Sequence, residues 1–252
     1  MSGRVPLMER RGSPRSGLLL IFLCMDALGY IDCGDNRDTV LFPWVREIVL
    51  QRKPGSVLDF GCGDARFSVE LARHVKGRVS AYDRDPHMRE QARRRIAGEG
   101  NAAVSLCEEP GAGWTGVFDV VVMLGVWMCW RTHAECGENL ALIARSLKPG
   151  GVLVASVTHP CFRNRTFATY RTDFDEDRYM ANGTPFRVYV GTAGKEIVIE
   201  DFHWNLEAMI TQVREAGLVL DILKEHADGP NGEAPSWLSL VLSKPACEPT
   251  GE

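Results

Sequence analysis

The chain has 252 residues, a formal net charge of −4, 45% hydrophobic residues and 25% charged residues. Those values describe one globular domain with short extensions, and its acidic balance offers no global attraction for nucleic acid. Eight cysteines are scattered without a Cys-x-x-Cys pair or a Cys/His cluster at zinc spacing, so no metal site and no disulfide framework is expected.

The chain opens with Arg4, Arg10, Arg11 and Arg15, followed by an apolar run from Leu18 to Met25. Basic, apolar and then small residues form the outline of a secretory signal. Asp26 interrupts that outline, however, and the run is too short to span a bilayer. The expectation is a disordered start over 1–17, or an over-extended translation start, and then a helical segment over 18–52. Within it, 18–32 forms one helix and 38–51 a second, with Pro43 in the first turn, where a missing N–H costs little. This segment either covers substrate as a lid or packs on a sheet edge.

Next comes Val57-Leu58-Asp59-Phe60-Gly61-Cys62-Gly63. An apolar run ending in glycines one residue apart, with a helical pattern from Ala65 to Val75, predicts a strand, a tight turn and a helix. Glycines let the turn be sharp and bring a ligand close to the backbone, and the helix start offers unpaired N–H groups. A dinucleotide site wants a third glycine three residues after the second; here that position is Arg66. A second strand, 77–83, ends in Asp83 about twenty residues after the glycine turn, where a carboxylate can accept bonds from ribose hydroxyls. Asp85 then caps a helix beginning at Pro86. A third strand, 103–107, leads to Glu108 and Glu109. Phe118 to Leu124 reads as a buried central strand. The Met and aromatic residues after it, Trp127 among them, suit an apolar pocket or the core.

A helix over 138–147 stops at Lys148-Pro149-Gly150-Gly151, and a fifth strand follows over 152–157. His159 lies just beyond it, where side chains of an open parallel sheet face the ligand crevice, which makes it the candidate general base. Residues 162–202 exceed a minimal fold. Alternating runs at 186–190 and 196–200 around a glycine-containing loop predict a β-hairpin. Arg163, Arg165 and Arg171 precede it and either bind an anionic substrate or pair with the acids at 173–177. A helix through Ala216 and strands at 218–223 and 237–242 complete the domain at about 245, leaving 246–252 as a tail.

Four ordered features, Asp-x-Gly-x-Gly at 59–63, Asp83, Phe118-Asp119-Val120-Val121-Val122 and Leu147-Lys148-Pro149-Gly150-Gly151, together resemble class I S-adenosylmethionine-dependent methyltransferases. The usual third glycine of that family falls at Ala65 here, a mild departure. The resemblance implies an α/β Rossmann-like fold, a seven-stranded mostly parallel sheet with helices on both faces and an antiparallel last strand. It implies S-adenosyl-L-methionine as cofactor, bound by Asp59, Phe60, Gly61, Cys62, Gly63, Asp83, Arg84, Glu108 and Leu124 within a domain spanning 53–245. The acceptor is expected to be a small molecule, in specialised metabolism and in the cytoplasm, touched by Tyr30, Trp127 and Arg163 under a cap formed by 162–202. No membrane and no nucleic-acid partner is expected, and the chain is expected to be a monomer or homodimer. Two alternatives remain open: a protein that binds the cofactor without methylating, and an RNA methyltransferase, for which Pro160-Cys161 speaks.

Overall fold

The computed structural model describes residues 37–100, 102–191, 197–227 and 234–246. The expected helix at 18–32, Tyr30 and most of the tail lie outside them. One turn of π-helix, Arg37–Leu41, runs into α1, Phe42–Gln51. Pro43 stands in the first turn, and Phe42, Val45, Ile48 and Val49 are buried.

The strands and helices follow in chain order: β1 (Ser56–Phe60), α2 (Arg66–Ala72), β2 (Arg78–Tyr82), α3 (Pro86–Glu99), β3 (Val104–Cys107) and β4 (Phe118–Leu124). Then come α4 (His133–Ser146), β5 (Leu147–Thr158), β6 (Tyr170–Thr172), β7 (Thr184–Val190), β8 (Ile197–His203), α5 (Leu206–Glu215), β9 (Val219–Ala227) and β10 (Pro235–Ser243). Seven strands form the main sheet in the order β3-β2-β1-β4-β5-β10-β9. The sheet is Rossmann-like, with β10 antiparallel to both neighbours and the strands from β3 to β5 parallel. Parallel neighbours need crossover connections, which α2, α3 and α4 supply.

The strand order reverses between β1 and β4, and a crevice opens at the carboxyl ends of strands beside such a switch point. Val57, Leu58, Val120, Val121, Val122 and Met123 are fully buried there. Each such side chain contributes roughly 1.5–3 kcal/mol relative to exposure, which keeps the floor of the crevice rigid. Two of the sequence features lock together beneath this floor. Asp119 accepts bonds from Gly55 N (3.0 Å), Ser56 N (2.9 Å) and Lys148 Nζ (2.7 Å), joining the starts of β1, β4 and β5. Burial alone would raise the Asp119 carboxyl, but Lys148 and Ser56 outweigh it and hold it low.

The structure departs from the expected elements in three places. Residues 148–151 were expected as a stop before the fifth strand, but they already belong to β5. Gly150 N donates to Lys244 O and Lys244 N to Gly151 O, both at 2.9 Å, so pairing with the chain end extends the strand. The predicted hairpin is a three-stranded antiparallel sheet, β6-β7-β8, because Tyr170–Thr172 adds an edge by pairing with Val188–Val190. The penultimate strand runs on to Ala227, through charged residues that showed no apolar pattern. The small sheet has its own apolar cluster, including Phe167, Phe174, Phe186 and Val188. It is tied to the main sheet by Tyr170 Oη donating to Ser236 O (2.7 Å) and Trp204 Nε1 donating to Trp130 O (3.0 Å).

Candidate active site

The turn after β1 is built by backbone hydrogen bonds. Gly61 N and Cys62 N donate to Tyr82 O at 2.7 and 2.9 Å, fastening the turn to the end of β2. Gly61 has φ +79° and Gly63 φ +56°, the left-handed region where a side chain is strained. A Cβ on Gly61 would lie 2.3 Å from Val126 Cγ2, whereas one on Gly63 would meet nothing within 4 Å. Gly61 is therefore required by packing against the segment after β4, and Gly63 faces open space. Ala65, at the third-glycine position, also has positive φ (62°) and is fully buried. Asp64 Oδ1 accepts from Arg66 N at 3.3 Å, so the side chain of the loop itself takes up one N–H at the start of α2.

Two carboxylates flank this turn. Asp83 Oδ2 accepts from Gly63 N at 2.8 Å and Oδ1 from Asp85 N at 2.9 Å. Burial raises its carboxyl above the usual range, against the pull of those two N–H groups. Asp59 is buried and accepts from Ser68 Oγ at 2.5 Å. Burial pushes Asp59 up to about 7, opposed by Ser68 and reinforced by Asp83 and Asp64.

A cavity of about 1060 Å³ opens above the turn. One end is walled by Asp59, Gly61, Gly63, Asp83, Met88 and Leu124, the other by Thr158, Tyr170, Val188, Ile199, Phe202 and Trp237. It thus runs from the switch point of the main sheet to the small sheet. A single ligand pocket commonly encloses ~300–1,000 Å³, so this one stands at the upper end of that range.

Residues 57–151 match the family model of a methyltransferase domain. The stretch from β1 into β5 thus resembles a methyltransferase domain. No curated protein sequence matches the chain. Among solved structures, it resembles an S-adenosylmethionine-dependent methyltransferase from Clostridium acetobutylicum, with a TM-score of 0.62 and 11% identity, covering 81% of this chain and 91% of that one. It also resembles a Burkholderia thailandensis 1,6-didemethyltoxoflavin-N1-methyltransferase bound to 1,6-didemethyltoxoflavin and S-adenosylhomocysteine. There the TM-score is 0.57 and the identity 17%, over 95% of this chain and 94% of that one. A third likeness is to the [4+2]-cyclase SpnF, with a TM-score of 0.56 and 14% identity, covering 81% of each chain. At these identities the likenesses establish the fold.

Of the residues that the sequence assigned to the cofactor, Asp59, Phe60, Gly61, Cys62, Gly63, Asp83, Arg84 and Leu124 all line the cavity. Arg84 does so while paired with Glu135 at 2.7 Å. Glu108 does not: it points outward and pairs with Arg93 at 2.6 Å and Arg89 at 3.4 Å.

The catalytic and acceptor assignments fare differently. His159 is 3% exposed and is not among the residues lining the cavity. Its Nδ1 accepts from Cys161 N at 3.2 Å, so Nε2 carries the proton and donates to Glu225 Oε1 at 2.9 Å. Burial lowers its pKa. Both ring nitrogens are committed, and the structure gives His159 a positioning geometry in place of a base facing substrate. Trp127 sits in a single 3-10 turn that sends its ring into the core, 1% exposed, with Nε1 donating to Gln212 at 2.9 Å; its neighbours Met128 and Cys129 reach the cavity instead. Arg163 is buried behind the cavity wall, donating to His203 Nδ1 (3.1 Å) and Thr158 Oγ1 (2.9 Å) and lying over the Phe186 ring. Arg165 and Arg171 lie over the rings of Phe162 and Tyr189.

The residues missed by sequence reasoning are those of the far wall, Thr158, Tyr170, Arg187, Glu200 and Asp201. One signal existed. Asp201 shares the parity of Ile197 and Ile199 on β8, so a charge stands at a position the alternation reserves for apolar residues.

Proposed function

We propose that this chain transfers a methyl group from S-adenosylmethionine to a small-molecule acceptor bound between the main sheet and the small sheet. The observation that carries this reading is the single cavity joining the glycine turn to β7 and β8. In it, Asp83 takes the ribose hydroxyls with the lone pairs its two backbone partners leave free. Gly63 admits the ligand to the backbone, and Phe60, Leu124 and Met88 form the apolar wall. The cofactor supplies an electrophilic methyl group on a sulfonium. The protein contributes position: a rigid floor and a lid of β-structure that hold the acceptor in line and exclude water, worth roughly 7–11 kcal/mol at best. The Burkholderia neighbour, a methyltransferase bound to the small molecule 1,6-didemethyltoxoflavin, supports this acceptor class. A role in specialised metabolism in the cytoplasm, as a monomer or homodimer, is part of the same proposal. Against a nucleic-acid partner, arginines of α3 are paired with acids: Arg93 and Arg94 with Glu90, and Arg95 with Asp64. No helix among the described residues is long and apolar enough to cross a membrane.

Thermal unfolding with S-adenosylmethionine, S-adenosylhomocysteine and NAD tests the reading. A hundredfold excess over Kd stabilises by about 2.7 kcal/mol, and the expected rise comes with the two sulfur compounds and not with NAD. The likeness to a cyclase keeps a second reading, in which the bound cofactor is not consumed. Release of S-adenosylhomocysteine during turnover separates the two.

A further inference from the structure

The acceptor end of the cavity holds a carboxylate that no described residue satisfies. Asp201 lies on β8 opposite Phe186 of β7, is 3% exposed and lines the cavity. The forces on it from described residues are burial and the charges of Arg163 and Glu200; it accepts no hydrogen bond from any described residue. Buried carboxylates ordinarily have donors, as Asp59 has Ser68. The lone pairs of Asp201 that no described residue uses therefore call for a donor that arrives with a ligand.

Its surroundings define that ligand. The turn Trp127–Cys129 after β4 packs against β8, and Cys129 and Asp201 both line the cavity, which brings Asp201 toward the cofactor end. Behind it, Arg163 is fixed by Thr158 and His203. Because His203 Nδ1 accepts from Arg163, the ring is neutral and Nε2 donates to Tyr179 O at 2.8 Å. Arg187 of β7 stands opposite Glu200 of β8, so those two charges offset each other. The remaining walls there, Val188, Ile199, Phe202 and Trp237, are apolar. An alkylamine suits this site poorly, because its ammonium would pair with the carboxylate and keep its lone pair protonated.

We propose that Asp201 accepts the proton of the methyl acceptor, and that the acceptor is a neutral ring compound presenting one O–H or N–H, of the phenol or azole kind. This rests on the methyltransferase reading above. As the acceptor's O or N bonds to the methyl carbon, the methyl–sulfur bond breaks and its electron pair stays on sulfur. The acceptor's proton passes to an Asp201 carboxylate oxygen and later to water. One negative and one positive charge disappear together, which a dry cavity favours. Burial pushes Asp201 up to about 7, near neutral pH, where a general base works efficiently.

The test uses the full chain and three probes: 7-hydroxycoumarin, benzimidazole and tryptamine. Calorimetric binding of S-adenosylhomocysteine to wild type, Asp201→Asn and Asp201→Glu comes first. Its absence in wild type defeats the methyltransferase reading itself. With that binding intact in all three proteins, tritiated methyl transfer is expected to the coumarin or the azole. It falls about hundredfold or more in kcat in Asp201→Asn, and Asp201→Glu recovers part of it. The wild-type rate climbs with pH through about 7, and that rise is absent in Asp201→Asn, whose rate increases only where the acceptor itself ionises. Independently of turnover, fluorescence shows 7-hydroxycoumarin binding the S-adenosylhomocysteine complex about tenfold more weakly in Asp201→Asn. Transfer to tryptamine alone, transfer to none of the probes, an unchanged kcat, or a change confined to KM would each overturn the proposal.

Discussion

The two ends of the cavity are built by different means. At the cofactor end, most ligand-facing groups come from one short run of chain, residues 59–88, joined by Leu124, and main-chain N–H groups fix them: Gly61 and Cys62 donate to Tyr82 O, Gly63 and Asp85 to the Asp83 carboxylate. At the acceptor end, side chains from the π turn, β5, the small sheet and β10 converge. They are positioned by long-range contacts such as Arg163 to Thr158 and His203. A backbone-built site tolerates changes of side chain but not of backbone shape. A side-chain-built site has the opposite sensitivity, which is how one end can bind a constant cofactor while the other is reshaped for a different acceptor.

The comparison can be broken most severely at Gly61. Alanine there meets both the Val126 clash and the positive φ, and is expected to cost about 3 kcal/mol or more in urea unfolding. Adding Val126→Ala should recover part of that loss, because it removes the clash and leaves the strain. At the other end, Arg163→Leu strands its buried polar partners. About 3 kcal/mol of stability should be lost, while calorimetry should show S-adenosylhomocysteine affinity retained, since the cofactor end does not depend on it.

Titration should divide the ends as well. Asp201 is raised to about 7, so its proton is held more tightly folded than unfolded. Its neutral form fits at pH 4, and stability is lost as pH rises toward 7. His203 and His226, both lowered to about 4, act in the opposite sense over pH 4 to 6.5, so the wild-type profile partly cancels. The difference between Asp201→Asn and wild type isolates the carboxylate. It should be near zero at pH 4 and grow to roughly 2 kcal/mol in favour of the variant above pH 7, followed by thermal unfolding.

Asp83→Ala should weaken S-adenosylhomocysteine binding ten- to a hundredfold, on the order of 1.5–3 kcal/mol for lost bonds to a charged group. An unchanged calorimetric Kd would remove Asp83 from the cofactor assignment. The smallest effect is expected at Ala65. Glycine relieves its positive φ but gives up a buried methyl, so Ala65→Gly should alter stability by less than about 1 kcal/mol in either direction.

The sequence by itself determined the sheet from β1 to β5 and the cofactor turn. Apolar runs, glycine spacing and Asp83 are local features, and parallel strands with helical crossovers admit few arrangements. Even there, the spacing showed a small residue at Ala65 without showing that its φ is positive, and it placed Glu108 inward where arginines of α3 and its start hold it outside. Which way a residue faces just beyond a strand was decided by tertiary structure alone. His159 turned to Glu225 of β9, Trp127 to Gln212 of α5 and Arg163 to His203 of β8, all partners distant in sequence. Asp201 became a cavity residue because β6 to β8 fold back across the switch point. A strand's alternation fixes which residues share a face, but only the packing of one sheet over another decides what that face meets.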